Sequence, residues 1–396
     1  MKVLHVIPSV SERSGGPGQA IIPMCRSLNA AGLEVLLAST DADLPVQNRP
    51  GGPKRGAITR YKNLQAIFFP TQLGASFKYS RPFALWLDRH VPDFDLVHIH
   101  AIFNHSSLAA ARACRGKRIP YIVRPLGTLD PWSMKQKSLR KKLFWKAGVN
   151  TMLTSAAAIH YTTKGEQQAV ESSLGLNHGV VVPLGVDKPV TPTTDATVKL
   201  AALFPVLLDH PYVLVLSRLH PKKGLESLVE AFASLVKRVE FRHWRLVLAG
   251  DGSAEYVKSL KCVVDAQGAT DSVVFPGWLE GEHKTAALRN ASLLALPSYR
   301  ENFGLCVMEA LACGVPVLVS PHVDLAPTVQ VAGAGWIVPV DRQALEEALS
   351  QALGSETERR RRGDAGSLLA VNFEWPRIAH QLADLYSQVC NESRSN

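Results

Sequence analysis

Pro297-Ser298-Tyr299-Arg300-Glu301-Asn302-Phe303-Gly304-Leu305-Cys306-Val307-Met308-Glu309-Ala310-Leu311-Ala312-Cys313-Gly314-Val315-Pro316-Val317 reads as the end of a strand, a polar loop, a short helix and a new strand. The run just before it, Ser292-Leu293-Leu294-Ala295-Leu296, is short and apolar, as a buried parallel strand requires. Pro297 and Ser298 close that strand. A helix is expected from near Gly304 through residues 305–313, apolar at nearly every position and therefore buried. Gly314 is the expected C′ residue, after which 315–320 resumes the sheet.

This reading puts Glu301 in the loop at a strand's carboxyl end and Glu309 on the second or third helical turn. The free amides of Phe303, Gly304 and Leu305 open the helix, and such an end attracts anions, phosphate above all. Two carboxylates beside a phosphate cradle suit a ligand that carries both phosphates and hydroxyls, and a nucleotide sugar carries both. The plainer alternative is a buried α/β unit whose glutamates cap and solvate the helix. Glu309 fits that alternative badly, because a charge within an apolar helix needs a partner. Ligands also favour strand carboxyl ends in open sheets.

A chain of 396 residues is too long for one core, so two domains are expected. The net charge of +10 fits an anionic partner: a nucleotide, a phospholipid or a nucleic acid. The six cysteines show no C-x-x-C pair, and Cys306 and Cys313 lie too far apart along one helix to bond. Reduced, buried cysteines in a cytoplasmic protein are expected. Residues 2–7 are too short for a signal peptide and read as a first strand. No apolar stretch is long enough to span a bilayer.

After the first strand a loop carries Gly15 and Gly16, where bare backbone can approach a ligand. A helix follows over about 17–29, with Pro17 in its first turn and a kink expected at Pro23. The spacing is not G-x-G-x-x-G, so no bound dinucleotide cofactor is expected. Asp41-Ala42-Asp43 and Asp93-Phe94-Asp95 match the D-x-D pattern of cation-dependent sugar transferases, but turn chemistry explains each, and no metal is expected. His98 and His100 share one face of the strand 96–100. Zinc would need a third ligand that no spacing reveals. His100 either meets an acceptor hydroxyl or is a hydrogen-bonded strand-end histidine. Residues 132–146 combine Lys and Arg with Trp132, Leu139, Leu143 and Phe144 in a helix-compatible run. This is either a contact for an anionic membrane surface or a solvated basic face with inward aromatics. No nucleic-acid module surrounds these charges, so nucleic acid is not an expected partner.

The domain boundary is expected near Asp187, with a Pro/Thr-rich linker over 188–210 and a second domain over 211–374. That half alternates strands (212–216, 244–249, 273–275, 292–296) with helices (225–239, 254–267, 283–289), the pattern of a doubly wound parallel sheet. Arg218 and Lys223 follow its first strand, where a planar fork and a point charge can face one diphosphate. A basic patch at 359–362 precedes a final helix over about 375–392.

With Gly15-Gly16, Ser217-Arg218-Leu219 and Lys223-Gly224, Leu248-Ala249-Gly250-Asp251-Gly252, and Glu301 eight residues before Glu309, nearly the whole chain resembles the family-4 (group 1) glycosyltransferases. The resemblance implies a GT-B fold: α/β, two Rossmann-like doubly wound domains facing across a cleft, with the last helix crossing back to the first. It implies a retaining, metal-independent enzyme with no cofactor beyond its nucleotide-sugar donor. Glu301 and Glu309 would hold donor-sugar and ribose hydroxyls, Arg218 and Lys223 the diphosphate together with amides of Phe303, Gly304 and Leu305. The base would lie near Gly277 and Trp278, and Gly15 and Gly16 would close on the phosphates. Pro125-Leu126-Gly127 stands where many relatives read Pro-His-Gly. The implied acceptor is a glycan or lipid-linked glycan of bacterial exopolysaccharide or lipopolysaccharide synthesis at the inner membrane face. Two rival readings keep the fold, a nucleotide-sugar epimerase and a non-catalytic nucleotide-sugar-binding protein, and product detection separates them.

Overall fold

Eight short runs rich in Val, Ile, Leu and Phe form the first sheet of the computed structural model. They are β1 Lys2–Ile7, β2 Glu34–Thr40, β3 Ile58–Tyr61, β4 Leu64–Phe69, β5 Leu96–His100, β6 Tyr121–Arg124, β7 Ala158–Tyr161 and β8 Gly179–Val181. The structure describes residues 1–11, 15–42, 56–74, 77–130, 133–134, 138–189, 198, 204–205 and 209–395. The sheet order is β3-β4-β2-β1-β5-β6-β7-β8, parallel except for the β3–β4 pair. The order reverses at β1, so a crevice opens at the carboxyl ends of β1 and β5, the usual ligand position in such sheets. The first unit comprises Met1–Gly185 together with Trp375–Asn396, and the second Val186–Glu374.

The second sheet contains β9 Tyr212–Leu216, β10 Arg245–Ala249, β11 Val273–Gly277, β12 Leu293–Leu296, β13 Val317–Val319 and β14 Gly335–Ile337. Its order is β11-β10-β9-β12-β13-β14, parallel throughout. Its switch point lies between β9 and β12, the two strands followed by the Arg218–Lys223 and Glu301 loops. Each unit has its own apolar core, one around Val97, Ile99 and Phe83, the other around Val213, Leu228 and Leu293. Side-chain caps start many helices: Asn104 accepts from the Ser107 N–H, and Thr163 from the Glu166 N–H.

The helix Leu305–Ala312 begins where the sequence places it, with Gly304 (φ 74°) before it and Gly314 (φ 74°) after it. The first helix, Gly16–Ala30, runs on through Pro23. The helix expected over 225–239 ends at Leu235 instead, because a turn around Arg238 and Phe241 takes the chain into β10. The final helix is longer than expected, Trp375–Ser395, and Tyr386 fixes it to the first unit.

Both D-x-D segments have local partners. Asp95 accepts from the Lys2 N–H at 2.8 Å and Asp93 pairs with His90, while Asp41 accepts from the Thr71 N–H; Asp43 lies outside the described residues. The basic patch is structural: Arg359 donates to the Ala352 and Leu353 carbonyls, and Arg362 stacks on Trp336. All six cysteines are free, but they are not uniformly buried, since Cys262 is exposed. No described helix is long and apolar enough to cross a membrane.

Candidate active site

The second unit gathers most of the expected residues at its switch point. After β9 the chain passes Arg218, which is exposed, and a short turn Pro221–Lys223. That turn is sewn to the loop after β12, because the Tyr299 N–H donates to the Lys222 carbonyl at 2.8 Å. Gly224 follows in a left-handed conformation, where a Cβ would overlap the Pro297 carbonyl oxygen. The Glu301 backbone is fixed on both sides: its N–H donates to the His322 carbonyl, and its carbonyl accepts from the Asp324 N–H, each at 3.0 Å.

On this frame Lys223 donates to the Glu301 carboxylate in a half-buried ion pair. Burial pushes the Glu301 carboxyl pKa up, but the Lys223 charge and hydrogen bond, with Lys222 and Arg218 behind them, outweigh it and hold it below the ordinary value. His220 is depressed by burial and by the same three cations, a second sign that positive charge is concentrated here. Lys223 has three donor hydrogens, so pairing with Glu301 leaves capacity for a phosphate oxygen.

Glu309 has the partner its position demands, and sequence reasoning missed it. Lys284, on the helix Gly281–Asn290, donates to Glu309 Oε1 at 2.6 Å, and both side chains are largely buried. Cys306 lies among both ion pairs: burial first, and then these charges, bring its thiol to about 12. Phe303 is buried, Gly304 precedes the first helical residue Leu305, and the Leu305 and Cys306 amides have no intrahelical acceptor, whereas the Val307 N–H donates to the Gly304 carbonyl at 2.8 Å. Gly277 (φ 75°) accepts from the Gly250 N–H at 2.8 Å, and Trp278 Nε1 donates to Glu280 at 3.3 Å.

The first unit places Gly15 (φ 98°) and Gly16 at the start of the first helix, just past the carboxyl end of β1. His100 is buried, and sequence spacing hid its neighbours. His100 and His5 lie 3.0 Å apart (Nε2 to Nδ1), Tyr386 Oη is 3.5 Å from His5 Nε2 and 2.7 Å from His98 Nδ1, and His98 Nε2 is 3.2 Å from His160 Nδ1. His160 Nε2 then reaches the Val182 carbonyl at 2.7 Å. One assignment satisfies every link: each ring carries its hydrogen on Nε2 and the chain runs one way, from His100 to Val182. Burial, reinforced by neighbouring charge from Arg124, lowers His5 and His160 to about 3. It also holds His98 and His100 well below the ordinary value. Glu166 pins the loop after β6, accepting from the Gly127 N–H at 2.7 Å and the Thr162 N–H at 2.9 Å, with Leu126 held at φ 61°.

A parallel sheet with a carboxylate, lysines and a bare helix end at its switch point has the features of a site for an anionic ligand. Residues 205–368 match the family described as Glycosyl transferases group 1, and 15–185 the Glycosyl transferase 4-like domain; the chain belongs to these glycosyltransferases. It is 25% identical to a D-inositol 3-phosphate glycosyltransferase of Corynebacterium urealyticum, over 82% of this chain and 78% of that protein. It is 24% identical to the phosphatidyl-myo-inositol mannosyltransferase of Mycobacterium leprae, over 98% of this chain and 97% of that one. A D-inositol 3-phosphate glycosyltransferase of Corynebacterium efficiens is 32% identical, but that match spans only 52% of this chain and 50% of that protein. Anabaena HepE in complex with UDP and glucose superposes with a TM-score of 0.78 at 20% identity, covering 98% of this chain and 100% of that one. Sucrose-phosphate synthase from Thermosynechococcus elongatus gives 0.77 at 23%, covering 98% of each. The fold is GT-B.

Proposed function

We propose that this chain is a retaining, metal-independent glycosyltransferase that moves a sugar from a nucleotide-diphosphate sugar to a hydroxyl of a glycan or lipid-linked polyol. The observation that carries the reading is the pairing of Lys223 with Glu301 beside Arg218, at the switch point of the second sheet. Arg218, Lys223 and the amides of Gly304 and Leu305 bind the diphosphate, and Glu301 accepts from donor-sugar hydroxyls. Glu309, oriented by Lys284, accepts from the ribose. The base lies toward Gly277 and Trp278, and Gly15 and Gly16 supply backbone amides to phosphate.

Both site carboxylates are already neutralised by lysines, so the positive charge that a cation would bring is supplied by the protein. In the transfer the bond from the anomeric carbon to the phosphate oxygen breaks, and the acceptor oxygen bonds to the same face of that carbon. The acceptor proton passes to the departing phosphate, whose charge Arg218 and Lys223 stabilise. His100, buried within the first unit, is not assigned contact with the acceptor. The names of the curated relatives favour a phosphorylated or lipid-linked inositol over an exopolysaccharide or lipopolysaccharide acceptor. Leu139 and Leu143 are exposed one turn apart beside Lys142 and Lys146, which supports contact with an anionic membrane surface at the cytoplasmic face.

The test is sugar transfer from uridine, guanosine and adenosine diphosphate sugars to inositol 3-phosphate and to phosphatidylinositol vesicles, with and without EDTA. One donor should give an EDTA-resistant, configuration-retaining product, and Glu301→Gln should lower turnover at least tenfold. Arg218→Ala should weaken nucleoside-diphosphate binding by about 1.5–3 kcal/mol, tenfold to more than a hundredfold. Isomerised donor, binding without turnover, or unchanged rates in Glu301→Gln would overturn the reading.

A further inference from the structure

The first unit holds a buried guanidinium without a hydrogen-bond partner among the described residues. Arg124, the last residue of β6, is 2% exposed, and among the described residues its guanidinium makes no hydrogen bond or ion pair. Nε is wholly enclosed, so the terminal nitrogens carry what surface remains. Burial lowers its pKa to about 10, which leaves it charged at neutral pH. A desolvated guanidinium is costly unless an anion meets it.

The surrounding groups supply charge but no hydrogen bond. His5, His98, His100, His160 and Tyr386 are neutral, and the carboxylate whose charge acts on Arg124, Glu166, accepts instead from the Gly127 N–H, the Thr162 N–H and the Thr162 hydroxyl. The three histidines His5, His98 and His100 bring ligand atoms within 4.8 Å of one another, a spacing that suits a metal. The guanidinium beside them opposes a second positive charge, and the hydrogen-bonded chain already engages all their nitrogens except His100 Nδ1. What the guanidinium lacks is a hydrogen-bond acceptor, and an oxyanion fits its planar fork best. A water bridging Arg124 Nε and His100 Nδ1, adjacent on paired strands, would satisfy those two atoms but leave the terminal nitrogens of the guanidinium without an acceptor.

The position is that of a ligand site. Arg124 ends the strand next to the β1–β5 crevice, and the loops beyond β5 and β6 each hold a non-glycine residue in the left-handed region, Ala101 (φ 69°) and Leu126 (φ 61°). The Ala101 N–H donates to the Arg124 carbonyl at 3.0 Å, tying the two loops together. Such conformations persist where the surroundings over-determine them, as they do around ligands.

We propose that Arg124 reads the charge of the acceptor: its planar fork pairs with an oxyanion, phosphate or carboxylate, carried by the molecule that receives the sugar. The ligand's identity as acceptor rests on the glycosyltransferase reading above; the anion site itself does not.

The experiment uses the full chain carrying Arg218→Ala and Lys223→Ala, which removes the donor-side phosphate contacts. Inorganic phosphate should still bind by calorimetry and raise the melting temperature. Adding Arg124→Met should lower that affinity at least tenfold without lowering the phosphate-free melting temperature, and Arg124→Lys should keep part of it. Glycerol 3-phosphate and phosphatidylinositol vesicles, set against phosphatidylcholine vesicles, distinguish a soluble phosphate from a lipid headgroup, and tighter binding by either supports the site. Phosphate affinity unchanged by Arg124→Met, or no phosphate binding once the donor contacts are removed, overturns it. In the wild-type chain, transfer to neutral and phosphorylated acceptors at equal rates overturns the acceptor assignment even if phosphate binds. Loss of all sugar transfer by the wild-type chain would instead fall on the glycosyltransferase reading.

Discussion

Four histidines buried as neutral rings make the first unit acid-sensitive in a way the second is not. His5, His98, His100 and His160 are each held below the ordinary histidine range by burial first and by neighbouring charge second. Their pKa values are lowered in the fold, so the unfolded chain binds more protons once the pH drops below the unfolded value of about 6.5. Their stabilisation is thus complete above that pH and is lost as the pH falls from there toward about 3, the folded value of His5 and His160. Each ring removes about 1.4 kcal/mol per pH unit within the window, so all four remove roughly 5–6 kcal/mol per unit. That is as large as the whole stability of many domains, about 5–15 kcal/mol. Hydrogen exchange between pH 7 and 5.5, corrected for intrinsic rates, should show protection collapsing in β1 and β5 while β9 and β12 stay protected. The second unit buries no histidine among its described residues. Replacing His160 with Gln should reduce the proton uptake on unfolding by about one. Protection in β1 that is flat across this range, or uptake unaffected by His160→Gln, would refute the neutral-chain account.

Two further outcomes follow from the second unit. Lys284→Met leaves Glu309 largely buried without its cation and should cost about 1–3 kcal/mol in a denaturant titration; Glu309→Gln in the same chain should restore part of it, and additive losses would show that the pair is not coupled. Gly250→Ala places a Cβ into the Ser217 carbonyl oxygen at φ 150° and should cost at least about 1–3 kcal/mol, with nucleoside-diphosphate affinity reduced because the Arg218 loop shifts.

The local content of the sequence was enough for the strands and helices around Glu301, since apolar runs, Gly304 and Gly314 act within a few residues of themselves. Gly250 and Gly252 were recognisable as part of a motif, but their reason appears only in three dimensions. The loop after β9 passes against them, and the Leu219 N–H donates to the Asp251 carbonyl at 2.8 Å. Glu309 read as a charge in need of a partner, yet nothing along the chain singled out Lys284 from other lysines. His98 and His100 were visible as one face of a strand, whereas His5, His160 and Tyr386 reach that face from separate elements.

By itself the sequence determined two βα-alternating units, the family, and the loops that carry Arg218, Lys223 and Glu301 at strand carboxyl ends, because these depend on periodicity and on motifs held within one loop. Only the tertiary structure decided which groups neutralise one another. Lys223 and Glu301 are 78 positions apart, His5 and His100 are 95 apart, and His98 and Tyr386 are 288 apart. Electrostatic pairing depends on distance through space, and the chain sets that distance only when its strands have taken their places in the sheet.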